Sequence, residues 1–450
     1  MTNTSEDLNH IALSTTAGTG IDIVPASAIK DTFQDTRSTK DEIIDEGVVE
    51  SMDTYEYPEG GYGWIVVGCC MTFAALTMGW GVCFGVFQAH YAQYEYPGQT
   101  SKLSLIGSLF TLLQNITSFV AGKRVLFVSA FVYWLALFLA SWSTKLWQVI
   151  LTQGVLTGIG VGICQPMFFS LPSQWFHKRR GLVSGLTVAG AGFGGGFGTL
   201  IVRALIKAVG AHKTLLIYSF INLTLMLVAT LLMRTRPSSP EARMKGEGPW
   251  VDKRVWTMLS FHFLALCILL HSFGYLTVLY YLTQYMKGLS DVPKGDILGA
   301  LPLSLLNFCA GLGRISIGYA ADRLGAMNTF AFLCFGSFAA VLALWLPAHS
   351  YGVIVGFGIV YGLLAPASYT LVPMAAAETF GPENLASNVG LILLFTAPGG
   401  LGGALVGGKI LEKTGNWQAL IIYAAALHAA AGICILVTRF LINRRIWAKV

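Results

Sequence analysis

Charge is what this chain has least of. Only 12% of its 450 residues are Asp, Glu, Lys or Arg, against 54% hydrophobic ones, which is too little polar surface to coat a soluble globule of this size. Cysteine is sparse too. The eight residues, Cys69, Cys70, Cys83, Cys164, Cys267, Cys309, Cys334 and Cys434, sit in or beside apolar runs without CxxC spacing, which argues against a disulfide scaffold or a thiolate metal site and leaves them as small apolar residues. A P-loop, an HExxH helix and a GxSxG elbow are all missing. The chain is therefore read as a non-enzyme with no metal and no cofactor. Its first residues are polar and contain no apolar h-region, so no cleavable signal peptide is expected.

Long apolar runs are what it has in abundance. Twelve can be traced, and inside them Lys and Arg are limited to Arg203 and Arg314, with Lys409 and Arg439 close to run ends. About 20 apolar residues rising about 1.5 Å each cross a hydrocarbon core ~30 Å thick, so the expected fold is an all-α integral membrane protein of twelve transmembrane helices. Their expected ranges are 64–90, 103–121, 125–142, 146–170, 181–206 and 214–233, then 255–285, 297–320, 327–346, 351–375, 385–411 and 417–441. The Pro-containing, charged stretch 234–254 divides them into two six-helix bundles, 64–233 and 255–441. Residues 1–63 are expected to be a polar, disordered cytosolic tail, and 442–450 a short cytosolic one.

The formal charge of +6 comes from basic clusters between apolar runs, a pattern of membrane topology and not of a nucleic-acid partner. With the N-terminus inside, inner loops and the C-terminal tail hold sixteen Lys and Arg against eight on the opposite side. The positive-inside rule then puts both termini in the cytosol. The two halves also resemble each other. Gly158, Gly162 and Pro166 recur as Gly358, Gly362 and Pro366, and Gly185, Gly194, Gly195 and Gly198 recur as Gly390, Gly399, Gly400 and Gly403. Order and register both hold, as in transporters built from parallel repeats. Gly190, Gly192 and Gly195 formally satisfy GxGxxG, but no strand precedes them, so close helix packing explains them better than a nucleotide.

Arg314 is the most informative side chain. A charge near the bilayer centre costs about 2.5 to 3.5 kcal/mol on insertion scales, so it should face a cavity or a partner. Its guanidinium fork matches a carboxylate; pairing with backbone carbonyls or a neighbouring helix is the structural alternative. Asn307 and Gln165 are further substrate-binding candidates, although helix-to-helix hydrogen bonding would account for either. Among His90, His262, His271 and His428, the depth of His271 makes it the proton-coupling candidate. Glu378, ahead of Gly381 and Pro382, suits a loop or capping role.

EGGYGW at 59–64 resembles the [DE]-G-[GS]-x-[GA]-W motif of the monocarboxylate porter family within the major facilitator superfamily. LWQVILTQGVLTGIGVG, SQWFHKRRGLVSGL and GRISIGYAADRLG are similar to that family's fourth helix, the following basic loop, and the eighth helix with its loop. The resemblance covers nearly everything after residue 58 and is nearest to the fungal branch. It implies two bundles rocking about a central site, with Asp322 and Arg323 as the charged signature that latches them on the cytosolic face. Arg314 matches the family's helix-eight arginine. Ala310 stands where animal members carry an Asp, and the helix-one Lys position falls near Val82, which weakens any case for proton-lactate symport. The first half also departs from the pattern: Lys123 and Arg124 replace the DRxGxR loop, so the second and third helices are expected to be joined by a tight two-residue hairpin.

These features describe a carrier of a small organic molecule, an organic anion or fungal secondary metabolite, working by alternating access across the plasma membrane, with efflux favoured. Uptake of a monocarboxylate with a proton, carriage of a riboflavin-type nutrient, and a transport-dead sensor are the alternatives.

Overall fold

The structure, a computed structural model, describes residues 58–97, 99–118, 123–235, 253–287, 289, 296–381 and 385–444. Residues 1–57 of the expected N-terminal tail, most of the linker and the last six residues lie outside these, whereas 58–63 are described and α1 begins at Tyr62. Twelve long helical runs follow in order: α1 (Tyr62–Glu95), α2 (Thr100–Ile116), α3 (Lys123–Ser141), α4 (Leu146–Trp175), α5 (Arg180–Val209), α6 (Ala211–Leu232), α7 (Leu259–Lys287), α8 (Asp296–Leu324), α9 (Ala326–Trp345), α10 (Tyr351–Phe380), α11 (Leu385–Thr414) and α12 (Trp417–Ile442). Ten are long and apolar enough to cross a membrane by length and composition. Large apolar side chains such as Phe131, Phe197, Leu200, Leu231 and Phe332 are exposed on their outer faces, a surface suited to lipid.

Some connections are very short. Gly210 alone separates α5 from α6, and Gly325 alone separates α8 from α9, with φ of 85° and 91°; glycine reaches such angles without a Cβ clash.

The two halves share one packing scheme. A Cβ added at Gly158 or Gly162 of α4 would lie 2.8 Å from the Phe110 carbonyl oxygen or 2.3 Å from that of Gln114 on α2. At Gly358 and Gly362 of α10 it would lie 2.8 Å from the Pro302 oxygen and 2.5 Å from the Leu306 oxygen on α8. In both halves a pair of glycines four residues apart meets a pair of carbonyls four residues apart, so the sequence repeat is a repeat of backbone contacts. Contact between halves is most extensive where α5 meets α8, and α2 and α4 against α11 complete it. The glycines of α5 account for that closeness: a Cβ at Gly181 would meet the Gly318 oxygen at 2.1 Å, and one at Gly185 the Arg314 oxygen at 2.4 Å.

Helix ends depart from the hydropathy reading at two functional places. α2 stops at Ile116, short of the expected 121, and the expected hairpin to α3 falls largely in 119–122, outside the described residues. At about 1.5 Å per residue α2 spans only about 26 Å. α8 continues through Leu324, which puts Asp322 and Arg323 in its last turn and not in a loop. Four helices are also broken: α1 is interrupted between Thr77 and Trp80, α4 at Leu171 and α11 between Leu394 and Ala397, and α10 passes through a 3₁₀ turn at Ala365–Ala367, where Pro366 has no N–H to donate.

Candidate functional site

Arg314 lies where three helices converge. It is 8% exposed, whereas Arg203 of α5 is exposed; Arg439, near the end of α12, is buried as well and bonds the Asn328 side chain. Its Nε donates to the Pro366 carbonyl of α10 at 3.3 Å and its Nη1 to the Val188 carbonyl of α5 at 3.2 Å. The guanidinium thus ties its own half to the other through backbone oxygens. Among the described residues no carboxylate pairs with it; its nearest titratable neighbours are the neutral phenols of Tyr275 and Tyr369. Desolvating an ion costs several kcal/mol, which neutral carbonyls offset only in part. The Nη2 group makes no hydrogen bond among the described residues, so the fork retains donors for an anion.

His271 reaches the same 3₁₀ turn from α7. Its Nε2 lies 3.1 Å from the Ala365 carbonyl, and a carbonyl only accepts, so Nε2 carries the proton and Nδ1 is left to accept. Nδ1 faces the Cys334 thiol at 3.9 Å. The ring centroid of His428 lies 4.9 Å from that of His271, and His428 Nε2 is 2.9 Å from the Tyr361 hydroxyl. Adjacent carbonyls of one turn, 365 and 366, are therefore held by His271 and Arg314. Beside His271 is a small cavity lined by Ile268, Ser272, Ser368, Tyr369, Val372 and Thr396, with about 10 Å³ open to the centre of a water-sized sphere, room for about one water.

The other two candidates are placed differently. Asn307 lies two turns before Arg314 on α8 and spends its Nδ2 on the Leu303 carbonyl at 2.9 Å. Gln165 is fully buried in the first half, where its Oε1 accepts from Gln114 Nε2 at 3.0 Å, and its own Nε2 has no protein partner. No hydrogen bond joins either to Arg314. Tyr275, Tyr369, Ser272, Ser368 and Thr396 were not singled out in the sequence, because hydroxyl and phenol groups are common in membrane helices. A repeat-aware reading could have found Ser368 and Tyr369, which follow Pro366.

The charged signature forms a contact between halves at the end of α8. Asp322 accepts the Gly181 N–H on Oδ1 at 2.6 Å and the Leu182 N–H on Oδ2 at 2.8 Å. These are first-turn donors of α5 that its own helix leaves unpaired, and the carboxylate also meets the positive end of the helix dipole. Arg323 is exposed, with its guanidinium 4.5 Å over the Tyr319 ring and against the Tyr319 hydroxyl, within its own helix. Glu378 at the end of α10 accepts the Ala326 N–H at 3.3 Å, so it caps α9.

Two pseudo-equivalent bundles, a buried arginine at their contact and a carboxylate fastening one to the other define a membrane carrier whose halves move against each other. The sequence matches the model of the Major Facilitator Superfamily over residues 69–378, and the chain belongs to that superfamily. It is 27% identical over 410 residues to an MFS-type transporter of Gibberella moniliformis, covering 88% of this chain and 95% of the relative. It is 29% identical over 382 residues to the agnestins efflux protein of Paecilomyces divaricatus, covering 83% and 86%. Among solved structures, the Escherichia coli fucose:proton symporter superposes with a TM-score of 0.64 at 13% identity, over 84% of this chain and 98% of the other; at that identity the likeness concerns the fold alone. The chain is thus a multi-pass membrane transporter of a small organic molecule, and alternating access is the mechanism its two halves support.

Proposed function

We propose that this protein exports an organic anion, of the secondary-metabolite class, from the cell across the plasma membrane, with both termini in the cytosol. The observation that carries the reading is Arg314: a buried cation at the contact between halves, held by two carbonyls and lacking a carboxylate of its own. A carboxylate or enolate cargo would supply the missing charge and draw the fork away from Val188, loosening the two halves as it binds. Tyr275 and Tyr369 offer ring surface to an aromatic cargo. The relatives named as efflux proteins support the direction, and the excess of basic residues on one face supports the orientation.

The monocarboxylate-porter resemblance supports a second reading, proton-coupled uptake of a small acid. It needs a proton carrier other than the absent helix-eight carboxylate, since Ala310 is buried there. Near the helix-one lysine position, Val82 packs on α5, 2.9 Å from where a Gly195 Cβ would stand. The buried His271–His428 pair is the carrier this reading would use.

Flux in liposomes separates the two. Export of larger acidic metabolites that ignores a pH gradient and short monocarboxylates supports the first; gradient-driven monocarboxylate uptake overturns it in favour of the second.

A further inference from the structure

The motif EGGYGW precedes the membrane and makes no hydrogen bond with Arg314, yet its Glu59, Gly63 and Trp64 all meet the end of α4 or the loop that leads to α5. Glu59 Oε1 accepts the backbone N–H of His177 at 2.7 Å and of Lys178 at 2.6 Å, and the Glu59 N–H bonds the Trp175 carbonyl at 3.3 Å. Glu59 holds φ of 47°, a left-handed conformation costly for a side chain of this length. A Cβ at Gly63 would strike the Phe176 ring at 2.8 Å, and Trp64 packs edge-on against Phe176 with centroids 4.9 Å apart. Tyr62 donates to the Leu232 carbonyl at 2.8 Å and lies under the Arg234 guanidinium, which fixes the motif to the end of α6.

The same loop ends in the two amides that Asp322 captures. Within six residues, His177 and Lys178 are held by a carboxylate of the first half and Gly181 and Leu182 by one of the second. We propose that Glu59 is a positioning residue for the gate: it fixes the α4–α5 loop so that the first turn of α5 presents its amides to Asp322. This rests on the alternating-access reading and is independent of what the cargo is. A loop of four residues between α4 and α5 has several backbone conformations, and only those aiming the α5 amides at α8 permit the latch. By fixing two amides upstream, Glu59 removes that freedom before the halves meet.

The test follows the distance between halves in the full-length protein without cargo. All eight native cysteines are buried, so nitroxide labels can be attached at Arg124→Cys and Leu324→Cys, both exposed on the face that carries the loop. Glu59→Gln should shift the closed-to-open ratio toward open by roughly tenfold, the size expected when charge-assisted hydrogen bonds become neutral ones. Asp322→Asn should do the same, and the double variant should go no further than Asp322→Asn alone, because both act through one contact. A Glu59→Gln distribution identical to the parent's, or an effect that adds to that of Asp322→Asn, would overturn the proposal. If the Gln variant does not yield monodisperse protein, Glu59→Asp, which keeps the charge and shortens the reach, carries the same comparison. Because no cargo is present, failure of the export reading would leave this outcome untouched.

Discussion

At the scale of single residues, Arg314 poses the sharpest question, since its present bonds and its proposed cargo compete for one fork. Removing it has opposed effects on stability. Arg314→Ala removes two charge-assisted hydrogen bonds, to the Val188 carbonyl, which keeps its bond within α5, and to the Pro366 carbonyl, at about 1.5 to 3 kcal/mol each, and also relieves several kcal/mol of ion desolvation. The melting temperature in detergent should therefore move little while flux of an anionic cargo falls by at least about tenfold, the loss expected for a charge-assisted pair. Arg314→Lys keeps the charge but not the fork; it should fold like the parent and restore flux only partly. A variant that transports normally would reduce Arg314 to a tie between helices. His271 makes a separate prediction, because its Nε2 proton is committed to Ala365 and only Nδ1 is free to gain one. His271→Ala should abolish any stimulation of flux by an imposed pH gradient while preserving downhill exchange, and persistence of the stimulation would assign the proton elsewhere.

At the scale of elements, α5 carries glycines of two kinds, and the contrast is measurable. A Cβ at Gly185 would sit 2.4 Å from the Arg314 carbonyl, while one at Gly196 meets nothing within 4 Å. Gly196→Ala should stabilise the protein by about 0.5 to 1 kcal/mol through helix propensity alone. Gly185→Ala should instead force α5 from α8, lowering the melting temperature or trapping the halves apart, and a thermal-shift comparison of the two decides. This is also where legibility in the sequence divides. The twelve runs and their glycine repeat could be read because lipid demands continuous apolar length and close packing demands missing side chains, and both leave marks on residue type. The end of α8 could not, because Asp322 and Arg323 look like loop residues until a partner helix is seen to need the carboxylate. Arg314 stood out by its charge, but its partners are main-chain oxygens of Val188 and Pro366, which any residue type would supply. Gln165, for which helix-to-helix bonding is the alternative, does bond Gln114 within one half and keeps its Nε2 unengaged.

At the scale of the whole molecule, the pseudo-symmetry fails at the gate. The second half sends Asp322 into the first turn of α5, whereas the corresponding connection of the first half, between α2 and α3, offers Lys123 and Arg124 and no acid in 117–122. A carrier with two equivalent latches would lose part of its closure when one is cut; with Asp322 the one such carboxylate latch among the described residues, closure should be unusually sensitive to it. The contact of Ser118 Oγ with the Gly390 carbonyl at 3.2 Å is a neutral hydrogen bond and a weaker substitute. Ser184 gives a way to read this, since it lies one residue before Gly185 on α5 and is buried. In a Ser184→Cys background, labelling by a membrane-impermeant maleimide added from the side of the α4–α5 loop should be slow, and Asp322→Asn should accelerate it by roughly tenfold. Unchanged labelling would mean that the glycine face between α5 and α8 holds the halves together unaided, and that the carboxylate only caps a helix.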